Sequence, residues 1–150
     1  RSGGKNGVWG VRSCNKNVIN TLIIFGFSPG TKTYTVSTPE YIFKSDVYIK
    51  RAFVRGLFDT DGCLNIYRIN KNKNKTYPRI VFYFASKDLR DSLQKLLVDI
   101  GFESSSWNFD NIFSICLAGK EKTNKWMNEI KPKNPKCLKK YSIWKKKGYI

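Results

Sequence analysis

Two carboxylates lie one residue apart at the end of an apolar stretch, FVRGLFDTDG (residues 53–62). The residues before Asp59 have the apolar spacing of a helix, and Gly62 predicts its end. A helix C-terminus carries roughly half a negative charge, so each acid placed there costs about 0.3–1 kcal/mol. A local rule broken beside a well-formed helix indicates a site. Carbonyls and carboxylates are the hard oxygen ligands that Mg²⁺ prefers, and a bound cation would cancel the repulsion.

The same pattern also has a purely structural interpretation. Asp-Gly is common in turns, and Asp59 can simply accept backbone hydrogen bonds where the helix ends. Asp61 is the better candidate for a site, because it precedes Gly62, where the chain can turn and leave the carboxylate free.

The charge of the chain indicates a polyanionic partner. It has 28 Lys and Arg against 11 Asp and Glu, a formal net charge of +17, and the excess is shared by both halves of the sequence. A solvated surface needs nothing like this charge. The alternative explanation is an AT-rich genome, which inflates Lys, Asn and Ile without selection for function.

The cysteines and the hydropathy argue against several other classes of protein. Cys14, Cys63, Cys116 and Cys137 stand singly and the sequence has no histidine, so a zinc site of the usual spacing is not expected. No apolar signal segment precedes the domain, and no apolar run approaches the ~20 residues that span a bilayer. We expect an intracellular protein, of the cytoplasm or an organelle matrix, that is reduced, not secreted and not bound to a membrane.

Hydrophobic periodicity predicts the elements that must position the two acids. The first part of the sequence predicts a helix over residues 17–25 that ends at Gly26, a turn and an extended segment up to residue 43, and a helix capped by Ser45 that ends at Gly62. Two strands follow, CLNIYRI and RIVFYFA, joined by the loop NKNKNK, and then a helix from Ser86 to Gly101. The last part predicts two strands around Asp110-Asn111, a helix over residues 120–130 and a basic closing helix, PKCLKKYSIWKKK. The order αββαββα predicts an α+β domain with one four-stranded antiparallel sheet, helices on one face and the other face free.

Alternation along the strands predicts which side chains form the core. The inward positions are Leu64, Ile66, Ile80, Phe82, Phe84, Phe113, Ile115 and Leu117, and Leu138, Tyr141 and Trp144 dock the closing helix. The helix that ends at Gly62 is apolar around most of its circumference, so we expect it to be buried on more than one side. Ala52 and Gly56 leave one of its faces nearly flat, which lets another backbone approach closely.

The acidic stretch resembles a known family signature. VRGLFDTDG (residues 54–62) is similar to the nine-residue motif of the LAGLIDADG homing endonucleases, matching it outright at Gly56, Leu57, Asp59, Asp61 and Gly62. The preceding FGFSPGTKTYTVSTPEYIFKSDVYIKRAF resembles the segment that joins the first repeat of two-repeat members to their second motif. The resemblance covers about residues 15–130, and αββαββα is this family's fold.

One motif is present, which leaves two architectures open. Residues 1–45 resemble a linker or the end of a preceding repeat, and residues 46–150 resemble one endonuclease repeat with a basic C-terminal helix. The chain is then either one subunit of a homodimer or the C-terminal part of a two-repeat protein.

The resemblance implies a metal-dependent nuclease. Motif helices of two repeats would pair through Ala52, Gly56 and Asp59, and their acidic ends would meet at the centre of a DNA-binding saddle. Asp61 matches the catalytic acid that binds Mg²⁺ or another divalent cation, while Asp59 ends and braces the helix. Lys120 is our candidate to stabilise charge or tune the attacking water. The implied activity is that of an intron-encoded, site-specific double-stranded DNA endonuclease.

The free face of the sheet is the expected reader of DNA, because a β-ribbon fits the major groove. Its expected contacts to bases are Asn65, Tyr67, Arg68, Arg79 and Tyr83, with Ser104, Ser106, Asn108 and Ser114 as weaker candidates. Lys71, Lys73, Lys75 and the lysines of the closing helix are expected to contact phosphates, which fixes register without reading sequence.

Two other functions fit the same fold. An intron RNA maturase would use the same basic surface for folded RNA. A DNA-binding protein without catalysis is the other alternative, although the intact acids argue against it, since a binder has no reason to keep an acid near phosphate.

Overall fold

The computed structural model describes residues 2–3, 9–10, 14–27, 33–69 and 72–148. The elements in chain order are strands β1 (Ser2–Gly3) and β2 (Trp9–Gly10), helices α1 (Lys16–Ile24), α2 (Glu40–Lys44) and α3 (Val47–Asp61), strands β3 (Gly62–Ile69) and β4 (Asn72–Phe84), helix α4 (Lys87–Asp99), strands β5 (Ser105–Phe109) and β6 (Ile112–Ala118), and helices α5 (Lys120–Glu129) and α6 (Pro135–Lys147). From α3 to α5 this is the predicted order αββαββα, and α6 is the predicted closing helix.

Strands β3 to β6 form one antiparallel sheet in the order β3-β4-β6-β5. The predicted α+β class with a four-stranded antiparallel sheet is therefore confirmed. The NKNKNK segment is shorter as a loop than predicted, because β4 already begins at Asn72, which pairs with Ile69 across a shift in register. Strands β1 and β2 pair separately with each other.

The N-terminus of α3 differs from the prediction by one residue. Asp46 is the N-cap, and its carboxylate accepts the backbone N–H groups of Tyr48 and Ile49 at 2.8 and 2.9 Å. Ser45, predicted as the cap, instead ends α2 and donates its hydroxyl to the Tyr41 carbonyl at 2.7 Å. The carboxylate satisfies two amides that have no partner within the helix, which explains why it takes the cap position.

Residues 40–44 were expected to be extended and are helical. Pro39 occupies the N-cap position of α2, Glu40 lies in its first turn, and Lys44 forms an ion pair with Glu40 at 2.7 Å. Acidic and basic residues at these two ends both favour the helix dipole. The extended segment is therefore limited to the residues before Pro39.

The predicted ends of α1 and α4 are confirmed. Gly26 has φ of +84° after α1, and the Phe27 N–H bonds the Leu22 carbonyl at 2.9 Å, which is a Schellman end. At α4, the Ser86 hydroxyl accepts the Leu89 N–H at 3.2 Å, and the helix stops before Gly101 as predicted.

The core lies between the inner face of the sheet and the helices. Phe58 of α3 packs edge-on against Phe82 of β4 and Trp126 of α5, with ring centroids 5.6 and 5.3 Å apart. The inward residues predicted for the strands are in this core or pack against its rim, except Phe113, which lies beside Arg90 of α4 at the sheet end. The helices thus cover one face of the sheet, and the alternate residues of the strands lie on the other face.

The docking face of α6 was predicted with one error. Trp144 and Tyr141 face the protein as expected, but Leu138 is 41% exposed and Cys137 is buried in its place. Cys137, Tyr141 and Trp144 follow the spacing i, i+4, i+7, which puts them on one stripe and turns Leu138 outward. Among the helices of the described residues, none has the length and hydropathy that a membrane span requires.

Candidate metal and nucleic-acid site

Helix α3 runs directly into strand β3 at Gly62. A Cβ atom on Gly62 would lie 2.1 Å from Phe58 Cδ2 and 2.8 Å from the Phe58 carbonyl oxygen, so no larger residue fits without moving the core. The Gly62 N–H bonds that same Phe58 carbonyl. Because the strand follows without a loop, the position of Asp61 is fixed by both elements.

The carboxylate of Asp59 is fully engaged within the chain. Its oxygens each accept the Lys133 N–H at 3.0 Å, and Oδ1 also accepts the Asn134 N–H at 3.0 Å. The Asn134 side-chain amide returns a bond to the Asp59 carbonyl at 3.0 Å, and Asn134 is the N-cap of α6. Asp59 therefore joins the end of α3 to the start of α6, which agrees with the bracing role predicted for it.

Asp61 is exposed at the end of α3 and is not engaged in this way. The Thr60 hydroxyl lies 3.0 Å from Asp61 Oδ2, and its one proton is shared with the carbonyls of Gly56 and Leu57. Within the part of the chain that the structure describes, the Asp61 carboxylate receives no other hydrogen bond and forms no ion pair. The two acids of the motif thus differ in kind, as the sequence predicted.

Asp61 is also isolated from other protein ligands for a metal. Over the described ranges, no three or more Asp, Glu, Cys or His side chains come together in a way that could hold an ion. A cation at Asp61 would need further oxygen ligands from water, phosphate or a second chain segment.

Lys120 is exposed at the first position of α5, directly after β6 and Gly119. Among the described residues, it has no hydrogen bond or ion pair with Asp61. Ser86 is buried and donates its hydroxyl to the Val36 carbonyl at 2.6 Å. Ser86 is therefore a structural residue here.

The flat face of α3 is uncovered by the described chain. Gly56 is exposed, and a Cβ atom on it would meet nothing within 4 Å. Ala52 is half-buried, and Tyr48 and Ile49 nearby are exposed. Val54 and Phe58 are the buried residues of α3, and Phe53 and Leu57 pack against the core, so among the described residues the predicted burial of α3 is incomplete at the face of Gly56. Helix α1 is likewise apolar and without a buried residue.

The outer face of the sheet carries four of the predicted base contacts. Asn65 pairs with Arg79 across β3 and β4, and Tyr67 pairs with Tyr77. The Arg79 guanidinium lies over the Tyr67 ring at 4.7 Å and at 5.6 Å from the Tyr77 ring. Burial, and then the neighbouring Tyr67, raise the pKa of Tyr83 above its usual value, so its hydroxyl is neutral at physiological pH.

The candidates on β5 lie on the wrong side of the sheet for this role. Ser106 pairs with Ile115 and Asn108 with Phe113, which places both on the inner face. The Asn108 side chain accepts a hydrogen bond from Arg90 Nη1 at 3.1 Å. A two-residue turn pairs Phe109 with Ile112, so Ser105, Trp107 and Phe109 are the outward residues of β5. Counting residues back across that turn would have identified these three outward residues. Alternation along β4 would likewise have identified Tyr77.

Three further candidates are also placed differently from expectation. Ser114 is on the outer face but only 1% exposed. Ser104 precedes β5, and its hydroxyl is buried. Arg68 pairs with Thr76 and alternates with Tyr67, which puts it on the helix side of β3. None of these side chains joins the surface formed by Tyr67, Arg79 and Tyr83.

The structure describes some of the predicted phosphate contacts and not others. Lys71 and the side chains of Lys73 and Lys75 lie outside the described residues. On α6, Lys136, Lys139, Lys145, Lys146 and Lys147 are exposed. Lys140 instead donates to the Leu64 carbonyl at 2.8 Å and so covers the free edge of β3.

The cysteines of the described chain are free thiols. Burial is the larger cause and the charge of Asp59 the smaller one that together raise the pKa of Cys137 to about 11. Burial also raises the pKa values of Cys63 and Cys116. These three thiols are therefore protonated at physiological pH, which disfavours metal binding by them.

Comparison with known proteins gives one family match and two similar chains. The model of the LAGLIDADG-like domain matches residues 49–108. The ribonucleoside-diphosphate reductase NrdEB subunit alpha of Bacillus subtilis (strain 168) is 38% identical over 77 residues, which is 51% of this chain and 6% of that protein. The subunit of the same name from Bacillus phage SPbeta matches with the same values.

The likeness to these reductase subunits is confined to a small fraction of their length. The family match spans most of α3, the β3–β4 hairpin, α4 and most of β5, and includes both acids of the motif. The match supports a LAGLIDADG family segment at residues 49–108 of this chain.

Proposed function

We propose that this chain hydrolyses phosphodiester bonds of double-stranded DNA at a specific site, with a divalent cation such as Mg²⁺ and with Asp61 as its catalytic acid. The observation that carries the proposal is the contrast between two neighbouring carboxylates. Asp59 is bound by two backbone amides, whereas Asp61 is exposed beside a helix end that repels it. A cation would turn that unfavourable position into a favourable one.

Asp61 fits the chemistry of a hard divalent cation, because such ions take oxygen ligands and keep several waters. A cation held there would activate water for attack and stabilise the leaving oxygen of the scissile phosphate. This chain supplies one carboxylate, so we propose that the second acid comes from another repeat. Lys120 is proposed to stabilise negative charge near that phosphate.

The proposed partner on the protein side is a second LAGLIDADG repeat or a second copy of this chain. The open space at Gly56 and the half-buried Ala52 support close packing of two helices at this face. In this proposal residues 46–150 form the repeat and residues 1–45 lead into it. The exposed apolar side of α1 gives the second repeat further surface to cover.

The net charge of +17 supports DNA as the substrate. Asn65 and Arg79, which face each other on the outer sheet surface, are proposed to contact base edges. The exposed lysines of α6 are proposed to contact the phosphate backbone and fix the register.

Cleavage of a random duplex library with Mg²⁺, followed by sequencing of the cut ends, tests the proposal. We expect one preferred site that the parent chain cuts and the Asp61→Asn variant does not. Asp88→Asn, which changes an exposed acid in the first turn of α4, is the matched control and should cut normally. Cutting by Asp61→Asn at the parent rate would remove Asp61 from the mechanism.

An RNA maturase remains the competing function, since the basic surface would suit folded RNA as well as duplex DNA. Binding of folded intron RNA and of duplex DNA at the same salt concentration separates the two. Tighter binding of the RNA, with no cleavage of any duplex, would favour the maturase.

A further inference from the structure

The outer face of the sheet is rich in aromatic rings and poor in charge. Its described side chains include Tyr67, Tyr77, Tyr83 and Trp107, which are between 36% and 45% exposed, and Phe109, which is 71% exposed. Arg79 is the one charged residue among the described side chains of this face. The other basic side chains that the structure describes lie off this face, on a chain with a net charge of +17.

The aromatic rings surround small residues that the protein itself buries. Tyr83, Ser114 and Trp107 form a row across β4, β6 and β5, and Ser114 is 1% exposed. Val81 and Cys116, the next row, are also buried. The rings are thus the accessible part of this face, and what a ligand meets there is ring surface.

Arg79 adds a planar cation to this surface. Its guanidinium stacks over Tyr67 at 4.7 Å, and its buried Nε has no hydrogen-bond partner among the described residues. A guanidinium that lies flat on an aromatic ring extends a stacking surface and keeps its outer N–H groups free for phosphate. The combination of aromatic faces and a cation is the composition that binds unpaired bases.

A duplex cannot use this surface fully, because its bases are already stacked on one another and offer only their edges. An unpaired strand offers its base faces, and each stacked base contributes the equivalent of roughly a five- to hundredfold gain in affinity. The rest of the chain supplies the attraction for a polyanion.

We infer that the outer face of the sheet binds single-stranded nucleic acid, with bases stacked on Tyr67, Tyr83 and Trp107 and with Arg79 at the backbone. The inference rests on the proposed function only in that the chain binds nucleic acid. The strand is RNA or DNA, since either has the same base faces. It uses the same sheet face as the proposed contacts of Asn65 and Arg79 with duplex DNA, so a single strand and a duplex would compete for this face.

Fluorescence anisotropy at about 150 mM salt tests the inference, with labelled 20-nucleotide oligothymidine, oligouridine and a 20-base-pair duplex as probes. We expect at least one single strand to bind more tightly than the duplex. Tyr83→Leu should weaken that binding about tenfold and weaken duplex binding less, because a duplex offers base edges and not base faces to the ring. Tyr83→Phe, which keeps the ring, should bind as the parent does. Whichever single strand binds more tightly identifies the natural class.

Tryptophan fluorescence gives a second readout that does not depend on Tyr83. Trp107 is exposed and on the sheet face, whereas Trp126 and Trp144 are buried. In a Trp9→Phe background, since the Trp9 side chain lies outside the described residues, we expect oligothymidine or oligouridine to quench the emission, and the quenching to disappear on adding Trp107→Phe while circular dichroism shows the same fold.

Preference for the duplex, together with unchanged single-strand binding by Tyr83→Leu and no quenching at Trp107, would overturn the inference. If that result came with duplex cleavage that still requires Asp61, the proposed function would stand alone. If single strands bound as expected and Asp61→Asn cut duplex normally, the proposed function would fail and this inference would stand.

Discussion

At the scale of single residues, the two acids of the motif have opposite roles in this chain. Asp59 offsets its unfavourable position at a helix C-terminus by accepting hydrogen bonds from two backbone N–H groups at the start of α6. Asp61 has no such compensation among the described residues. The difference predicts opposite effects on stability and on activity.

Replacing Asp59 with Ala should lower the free energy of unfolding by about 1–3 kcal/mol, because the amides of Lys133 and Asn134 lose their acceptor. Asp61→Ala should be neutral or stabilise by up to about 1 kcal/mol, since it removes repulsion from the helix end. Urea denaturation followed by circular dichroism measures both. Equal destabilisation by the two variants would contradict the division of roles.

The Cys137 thiol makes stability depend on pH in the alkaline range. Its pKa is about 11 in the fold against an ordinary 9.0, because it is buried. Because the pKa of Cys137 is raised in the fold, the thiol contributes its full stabilisation below about pH 9 and loses it as the pH rises towards 11.

We therefore expect the stability difference between the parent and Cys137→Ala to shrink by about 1–2 kcal/mol between pH 8 and pH 10.5. Lysines titrate in both proteins and cancel in the comparison. Cys14→Ala, which removes an exposed thiol, is the matched control. A constant difference across this range would show that Cys137 does not titrate as described.

At the scale of elements, α3 is held on one side by its own core and is open on the other. Gly62 is in contact with Phe58, whereas Gly56 faces open space. These two glycines of one motif therefore serve different purposes. Gly62 allows the helix to enter the strand, and Gly56 leaves room for a partner.

Gly62→Ala should destabilise the chain by roughly 1–3 kcal/mol, because the added methyl overlaps Phe58 in the core. Gly56→Ala should instead stabilise it by about 0.5–1 kcal/mol, as expected for an exposed position inside a helix. Thermal unfolding of the two variants at low protein concentration makes the comparison. A loss of stability in Gly56→Ala would indicate that this face is already covered within the chain.

Local signals in the sequence were sufficient for most of the elements. Alternation and helical spacing identified the strands, α4 and α5, because their apolar residues face a single core. Asp46 and α2 were missed, since two adjacent residues can each cap a helix and a five-residue helix has too short a pattern to detect. The hydrogen bonds that Asp46 accepts in the structure decide between the two caps.

The site could be predicted in part, for a physical reason. Asp61, Asn65, Tyr67, Arg79 and Tyr83 follow from local sequence, because a helix end and two paired strands place them. The error at Ser106 and Asn108 arose although the turn at Asp110-Asn111 was predicted, because the alternation of β6 was not carried back across that turn to β5. The contacts of Asp59 with Lys133 and Asn134 join residues more than 70 positions apart, and no local pattern encodes them.

At the scale of the whole molecule, the exposed face of α3 and the apolar side of α1 predict association. We expect the chain to self-associate at micromolar concentration, measured by size-exclusion chromatography with light scattering. Gly56→Arg should give a monomer, because a long charged side chain cannot be accommodated between two closely packed helices. Glu121→Arg, which changes an exposed residue on α5, should leave the association unchanged. A monomeric parent would contradict pairing between copies of this chain.

The excess positive charge belongs to the same scale, because it acts on any polyanion and carries no sequence information. In the proposed function this charge would supply attraction to nucleic acid, and the exposed carboxylate of Asp61 would distinguish a nuclease from a binding protein. The central claim is therefore that Asp61 acts on the phosphodiester bond.

The rate of single-turnover cleavage tests that claim most directly. On the duplex site that the parent cuts with Mg²⁺, Asp61→Asn should cleave at least about a hundredfold more slowly, while it binds that duplex within twofold of the parent. Asp88→Asn should cleave at the parent rate. Equal rates for the parent and Asp61→Asn, or no duplex that the parent can cut under any divalent cation, would contradict the account.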